Sequence, residues 1–295
     1  MTDCQSVIAT SDLHLHLYAA GDASVEQLIP RACASDADVL IVAGDVTNGS
    51  TENFAACLMR FQDFKGTKLL VPGNHDLWTS FLDSRTKYET LLPEIAAETG
   101  FHVLDKAPFV MGRTAFIGNI GWYDYSLRSD RLNMTLSQYR SKTVPGVCTW
   151  NDKMYVKWDL EDDEFTQMCL DSLQRHYAQV EPQVDQVVVV LHHLPFVELV
   201  HESNNVALEF CRAYMGSSRF GELLLECPKV RYVICGHRHS VSECTKNGVK
   251  AMVIGSEYSL KRMLTLNLVS GEHAWTEFPP PEGVETGSDD PADML

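Results

Sequence analysis

The stretch Lys68-Leu69-Leu70-Val71-Pro72-Gly73-Asn74-His75-Asp76 joins an apolar run to an amide, an imidazole and a carboxylate in direct succession. Its first four residues read as a strand. Pro72-Gly73 stops it, because proline lacks the ladder donor and glycine frees the turn. The same order recurs along the chain. Ser6–Thr10 runs into Asp12-Leu13-His14, and Val39–Ala43 into Gly44-Asp45. Residues 187–191 end in His192-His193, and Val230–Cys235 in Gly236-His237-Arg238-His239. Five apolar runs thus deliver Asp, Asn or His just past their carboxyl ends. In open α/β sheets that edge is where ligands bind.

Between the runs lie helical patterns over residues 25–34, 54–64, 88–99 and 162–178, with Ser50 and Thr51 as candidate caps of the second. Uniformly apolar strands alternating with helices predict a sheet buried on both faces. A further strand is expected at 114–117. Short alternating segments at 250–254, 263–269 and 274–278 read as antiparallel strands.

Composition bounds the rest. The chain has 295 residues, 45% hydrophobic and 22% charged, an ordinary globular balance. One large α/β domain is expected over residues 1–278, followed by an acidic, proline-rich tail at 279–295 that reads as flexible. No apolar run reaches the ~18 residues of a membrane span, and no charged leader precedes an apolar stretch, so a cytoplasmic location is expected. Forty acids against twenty-four bases leave a net charge of −16. That argues against general nucleic-acid binding and against anionic membrane surfaces. Nine cysteines without a Cys-x-x-Cys pair fit reduced thiols better than a zinc ribbon or a disulfide framework.

The residues at the strand ends form a coherent donor set. Imidazole nitrogen with carboxylate and amide oxygen suits Mn²⁺, Fe or Zn²⁺. They are more than one ion takes, and two ions would share them. Two cations about 3.5–4 Å apart can clamp a phosphoryl group and generate a hydroxide nucleophile.

The ordered set Asp12-x-His14, Gly44-Asp45, Gly73-Asn74-His75-Asp76, His192 and Gly236-His237-x-His239 resembles the calcineurin-like metallophosphoesterase superfamily, over roughly residues 6–270. The resemblance implies a four-layer α/β/β/α sandwich with two mixed β-sheets. It also implies a dinuclear metal centre, Mn²⁺ before Fe or Zn²⁺, that hydrolyses mono- or diesters of phosphate in nucleotides or other small molecules. By position, one metal would be held by Asp12, His14, Asp45 and His239. The other would be held by Asp45, Asn74, His192 and His237, with Asp45 bridging. The resemblance makes His75 and Asp76 catalytic: His75 faces the leaving oxygen, and Asp76 orients its ring.

Departures from the family narrow the expectation. Protein Ser/Thr phosphatases carry Asp-Arg-Gly where this chain has Asn48-Gly49-Ser50, so their phosphate-binding arginine is missing. A phosphoprotein phosphatase is therefore the weaker alternative. A non-catalytic scaffold is weaker still, because the ligand set is complete. Residues 213–217, 220–224 and 121–126 resemble segments of uncharacterised bacterial members. The expected partner is a small phosphate ester; no oligomeric state is indicated.

Residues 119–161 interrupt the alternation. They hold Trp122, Trp150 and Trp158, and between 121 and 158 six bases against three acids. A basic, aromatic insert starting after the 114–117 strand is expected to cap the sheet edge. Arg128 or Arg131 would then reach substrate and Trp122 or Tyr125 would line its pocket. His193 is a further candidate contact.

Overall fold

The computed structural model describes residues 3–284. The expected flexible tail falls largely on residues 285–295, outside the described residues.

The apolar runs form strands, and their period of two divides the core. In Val39–Ala43 every residue is buried. Leu40 and Val42 pack toward helices, whereas Val39, Ile41 and Ala43 pack toward a second sheet. The first sheet has the order His273–Phe278, Lys261–Asn267, Ser6–Thr10, Val39–Ala43, Thr67–Val71, His102–Val103. The second has the order Ser242–Lys246, Val249–Val253, Val230–Cys235, Gln186–Leu191, Thr114–Asn119, Phe109–Met111. Both are mixed. Ala19–Cys33, Thr51–Met59 and Leu92–Glu98 cover the first sheet, and Asp162–Val180 the second. The result is the four-layer α/β/β/α sandwich.

Between the sheets, Val7, Ala9, Ile41 and Leu69 meet Val188, Val190, Ile234 and Met252. Each large side chain contributes about 1.5–3 kcal/mol on burial. This layer also fixes one sheet against the other, and with it the two halves of the site. Ser6–Thr10, Val39–Ala43 and Thr67–Val71 run parallel, as do Gln186–Leu191 and Val230–Cys235. Their carboxyl ends therefore open toward one edge.

Three expectations shift in detail. The helix expected at 54–64 ends at Met59 and continues as tight turns, with Phe61 N–H donating to Leu58 and Phe64 N–H to Phe61. The segment expected over 88–99 opens with a π-helical turn, Lys87–Leu91. The strand expected as antiparallel at 250–254 is Val249–Val253, which runs parallel to Val230–Cys235 and antiparallel to Ser242–Lys246. The polar strand Ser242–Lys246 reverses the chain before it, and its weakly apolar sequence conceals it. Among the described residues no helix is long and apolar enough to cross a membrane.

Asp105 gives the fold a pH dependence. Its Oδ1 accepts from Tyr88 Oη at 2.6 Å and from Ile120 N–H at 3.0 Å, while Oδ2 is buried without a partner among the described residues. Burial pushes its pKa up to about 7. An acid with a raised folded pKa stabilises fully below its unfolded value, about 3.9. That contribution is lost as pH rises toward 7. Asp105→Asn is expected to remove this slope. Relative to the parent, the variant should gain a few degrees of Tm between pH 5 and pH 8. Parallel Tm–pH curves for the two proteins would contradict it.

Candidate metal centre

The strand ends are stitched together across the two sheets. His192, after Gln186–Leu191, places Nδ1 2.9 Å from the Ala43 carbonyl of the first sheet. His237 N–H donates to Asp12 Oδ1 at 3.0 Å. Asp12 N–H donates to the Gly44 carbonyl at 2.9 Å and His14 N–H to the Asp45 carbonyl at 3.0 Å.

Four residues of this set, Asp12, His14, Asp45 and His237, have left-handed backbones, with φ of 53°, 45°, 53° and 66°. Such conformations cost roughly 1–3 kcal/mol each and persist where surrounding structure over-determines them, often at functional sites. Glycine is required beside them. A Cβ at Gly44 would overlap the His192 imidazole, and one at Gly73 the Asp45 carboxylate.

Three donor groups result: Asp12, His14 and His239; His14, Asp45 and His75; and Asp45, His192 and His237. Within each, the ligand atoms lie within 4.8 Å of one another. Asp45 Oδ2 is the hub, 3.3 Å from His192 Nε2, 3.8 Å from His14 Nε2 and 4.0 Å from His75 Nε2. Asn74 Oδ1 lies 3.1 Å from His192 Nε2. All seven residues expected as ligands therefore converge.

Outer hydrogen bonds assign the ring protons. His192 Nδ1–H donates to Ala43, His237 Nε2–H to the Tyr214 carbonyl at 3.2 Å, and His14 Nδ1–H to Asn48 Oδ1 at 3.2 Å. Lone pairs then point inward. His237 Nδ1 and His192 Nε2 face each other at 3.2 Å, and His14 Nε2 and His239 Nε2 at 3.4 Å. Facing lone pairs repel unless a proton or a metal cation lies between them, so this donor set fits divalent metals. Electrostatics agree. Burial, then His75, holds His14 well below its usual pKa, and burial, then His192, pushes His237 down to about 3. Both are thus neutral, the ligating form. Burial also opposes charge on His192, but Asp45 outweighs it and raises the ring to about 9. Beside the Asp45 carboxylate this position favours positive charge, which a cation would supply in place of the proton.

The expected role of Asp76 needs correction. Asp76 does not orient His75. Its carboxylate accepts from Thr47 N–H at 3.0 Å and Gly73 N–H at 2.9 Å, bracing two loops. Asn48 takes the orienting place: His75 Nδ1–H donates to its Oδ1 at 2.7 Å. Trp78 stacks on a face of the ring, with centroids 3.6 Å apart. Asp152 was also not anticipated. It is buried and accepts from Asn74 Nδ2, Trp78 Nε1, Tyr123 Oη and Trp150 Nε1. The first of these bonds turns the Asn74 oxygen toward His192. Asn48 lies three residues after Asp45, a usable signal; Asp152 is 78 residues from Asn74 and has no local signature.

The family model for calcineurin-like phosphoesterases matches residues 6–241. The chain belongs to that family. Comparison with curated proteins finds no sequence relative. Among solved structures, this phosphoesterase is similar to phosphopantetheinyl hydrolase from Mycobacterium tuberculosis, at 18% identity and TM-score 0.68 over 86% of this chain and 90% of that one. It is similar to a dimetal phosphatase from Danio rerio, at 13% identity and TM-score 0.56 over 94% and 100% of the two chains. A Thermus thermophilus protein matches at 13% identity and TM-score 0.58 over 93% and 99%.

A cavity of about 520 Å³ opens beside the phosphoesterase's donor groups, bordered by Asp45, His75, His237, His239, Trp150 and Arg212. Trp122 and Tyr125 do not line it. Both are buried in the core, where Trp122 Nε1–H donates to Asp162 at 2.9 Å and Tyr125 Oη also donates to Asp162. One buried carboxylate satisfies both polar tips, so the rings turn inward. Trp150 borders the cavity instead, so the 119–161 segment does reach the site. His193 is buried behind His237, ring centroids 4.2 Å apart, with Nδ1–H donating to Ile120. Arg128 and Arg131 border a neighbouring cavity of about 300 Å³ that shares Glu202 and Arg212 with the first.

Proposed function

We propose that this phosphoesterase hydrolyses phosphate mono- or diesters of small molecules, nucleotides included, at a dinuclear centre. Asp12, His14, Asp45 and His239 would hold one ion, and Asp45, Asn74, His192 and His237 the other. The observation that carries this reading is the place of Asp45 Oδ2, which faces His14 on one side and His192 on the other. Bound divalent cations, Mn²⁺, Fe or Zn²⁺ all suiting nitrogen and oxygen donors and Mn²⁺ being the one the family resemblance puts first, would supply Lewis-acid polarisation and a water-derived nucleophile.

The chain's own residues do the rest. Asp152 fixes the Asn74 amide so that its oxygen faces inward. His75 borders the cavity, with Nδ1–H engaged by Asn48 and Nε2 turned toward Asp45. Burial lowers its pKa, with the Asp45 carboxylate opposing that shift. As the imidazolium, with both ring nitrogens protonated, it would give its Nε2 proton to the leaving oxygen and remain as the neutral Nδ1–H ring. Asp76 acts by holding the Gly73 and Thr47 backbones in place. The nine cysteines are unpaired thiols, which suits a reducing cytoplasm.

Metal removal tests this reading. Chelation followed by add-back of Mn²⁺, Fe²⁺ or Zn²⁺ is run against a panel of phosphate monoesters, diesters and cyclic nucleotides. Activity should vanish and return with the metal, at up to two ions per chain. Full activity in a thoroughly metal-free preparation would overturn the proposal.

A further inference from the structure

Arg212 stands where the two cavities meet, on the short 3₁₀ turn Arg212–Tyr214 whose Tyr214 carbonyl holds the His237 ring. Its side chain is nine-tenths buried, with a residue exposure of 9%. Arginine is rarely buried unless paired. Here the pairing is thin. Nη1–H reaches Glu209 Oε2 at a long 3.4 Å. Nε–H is buried without an acceptor among the described residues. No hydrogen bond is made by Nη2 among the described residues. Glu209 is itself taken up elsewhere, accepting from Ser129 Oγ and from Ser203 N–H. The other arginine on this wall, Arg238, is spent differently: its Nη1–H donates to the Leu199 carbonyl. A guanidinium carries five donors in a planar fork that matches phosphate, and an unmade hydrogen bond from a buried charge is costly.

We propose that Arg212 is the anion-binding residue of this site, engaging a non-bridging oxygen of the substrate's phosphate group. This rests on the phosphoesterase reading above. The Gly44-Asp45 loop offers no arginine for that purpose, carrying Asn48-Gly49-Ser50. Arg212 borders the same cavity from the connection that follows Gln186–Leu191 of the second sheet. The Glu209 contact then sets the direction of the fork without consuming it.

The probe is inorganic phosphate, used as a competitive inhibitor of nitrophenyl phosphate ester hydrolysis by the metal-loaded enzyme. Arg212→Gln should raise the inhibition constant for phosphate roughly 10- to 100-fold, as expected for loss of a charge-assisted hydrogen bond. KM should rise with it, while bound metal stays at the parent's level. Should that variant fail to fold, Arg212→Lys carries the test. It keeps a positive charge against Glu209 but cannot present a planar fork to a second partner, so the constant should still rise several-fold. An unchanged inhibition constant in a folded, metal-loaded variant overturns the assignment. A parent enzyme with no esterase activity would instead overturn the underlying phosphoesterase reading, and the two failures are distinct.

Discussion

Asp45→Asn is expected to reduce turnover by more than ~10²-fold and to lower bound metal, with the fold intact. Losses of ~10–100-fold are typical for residues that merely support a metal ligand, so a carboxylate shared by two donor groups should cost more. Asparagine keeps the size of the side chain and its carbonyl oxygen, so the His75 N–H that donates to Asp45 Oδ1 at 2.9 Å retains an acceptor. What disappears is the negative charge that His192 and His75 hold ionised well below the usual carboxylate range, against the cost of burial. With it goes the oxygen facing His14, His75 and His192 together. Elemental analysis and steady-state kinetics on the same preparation check the expectation. A variant that keeps two ions and parental kcat would remove Asp45 from the centre.

His75→Ala should behave differently, and the contrast is diagnostic. His75 shares a donor group with His14 and Asp45, so geometry alone allows a ligand there. Its ring nevertheless borders the cavity, stacked on Trp78 and held through Nδ1–H by Asn48. As a proton donor to the leaving oxygen it contributes ~10²–10⁴-fold. The variant should therefore keep its metals and lose that factor on alkyl phosphate esters. The loss should shrink on nitrophenyl esters, whose leaving group departs without a proton. A loss independent of leaving group, or a drop in bound metal, would return His75 to the ligands.

Much of this protein was legible along the chain. Apolar runs such as Val39–Ala43 announce strands buried on both faces, because no water-facing side could tolerate them. The residues at their carboxyl ends, Asp12, His14, Asp45, Asn74, His192, His237 and His239, are local in sequence to the strands that position them. Parallel strands then bring them to one edge whatever lies between. That is why the donor set stands in the sequence itself, and why the family resemblance carries the sandwich with it.

Tertiary structure decided what local pattern does not encode. Val249–Val253 became parallel to its neighbour because a polar strand reversed the chain before it. Asp76 turned to the Thr47 and Gly73 amides, leaving His75 to Asn48. Trp122 and Tyr125 turned inward to Asp162, and Trp150 took the cavity wall. Asp152 gathered four donors from distant segments. In each case the outcome depends on which buried polar group finds its partner, and an unpaired one is expensive. The strand ends that carry the chemistry follow from short-range periodicity and so stand in the sequence. The pairing of buried polar groups is settled only when the two sheets close on each other.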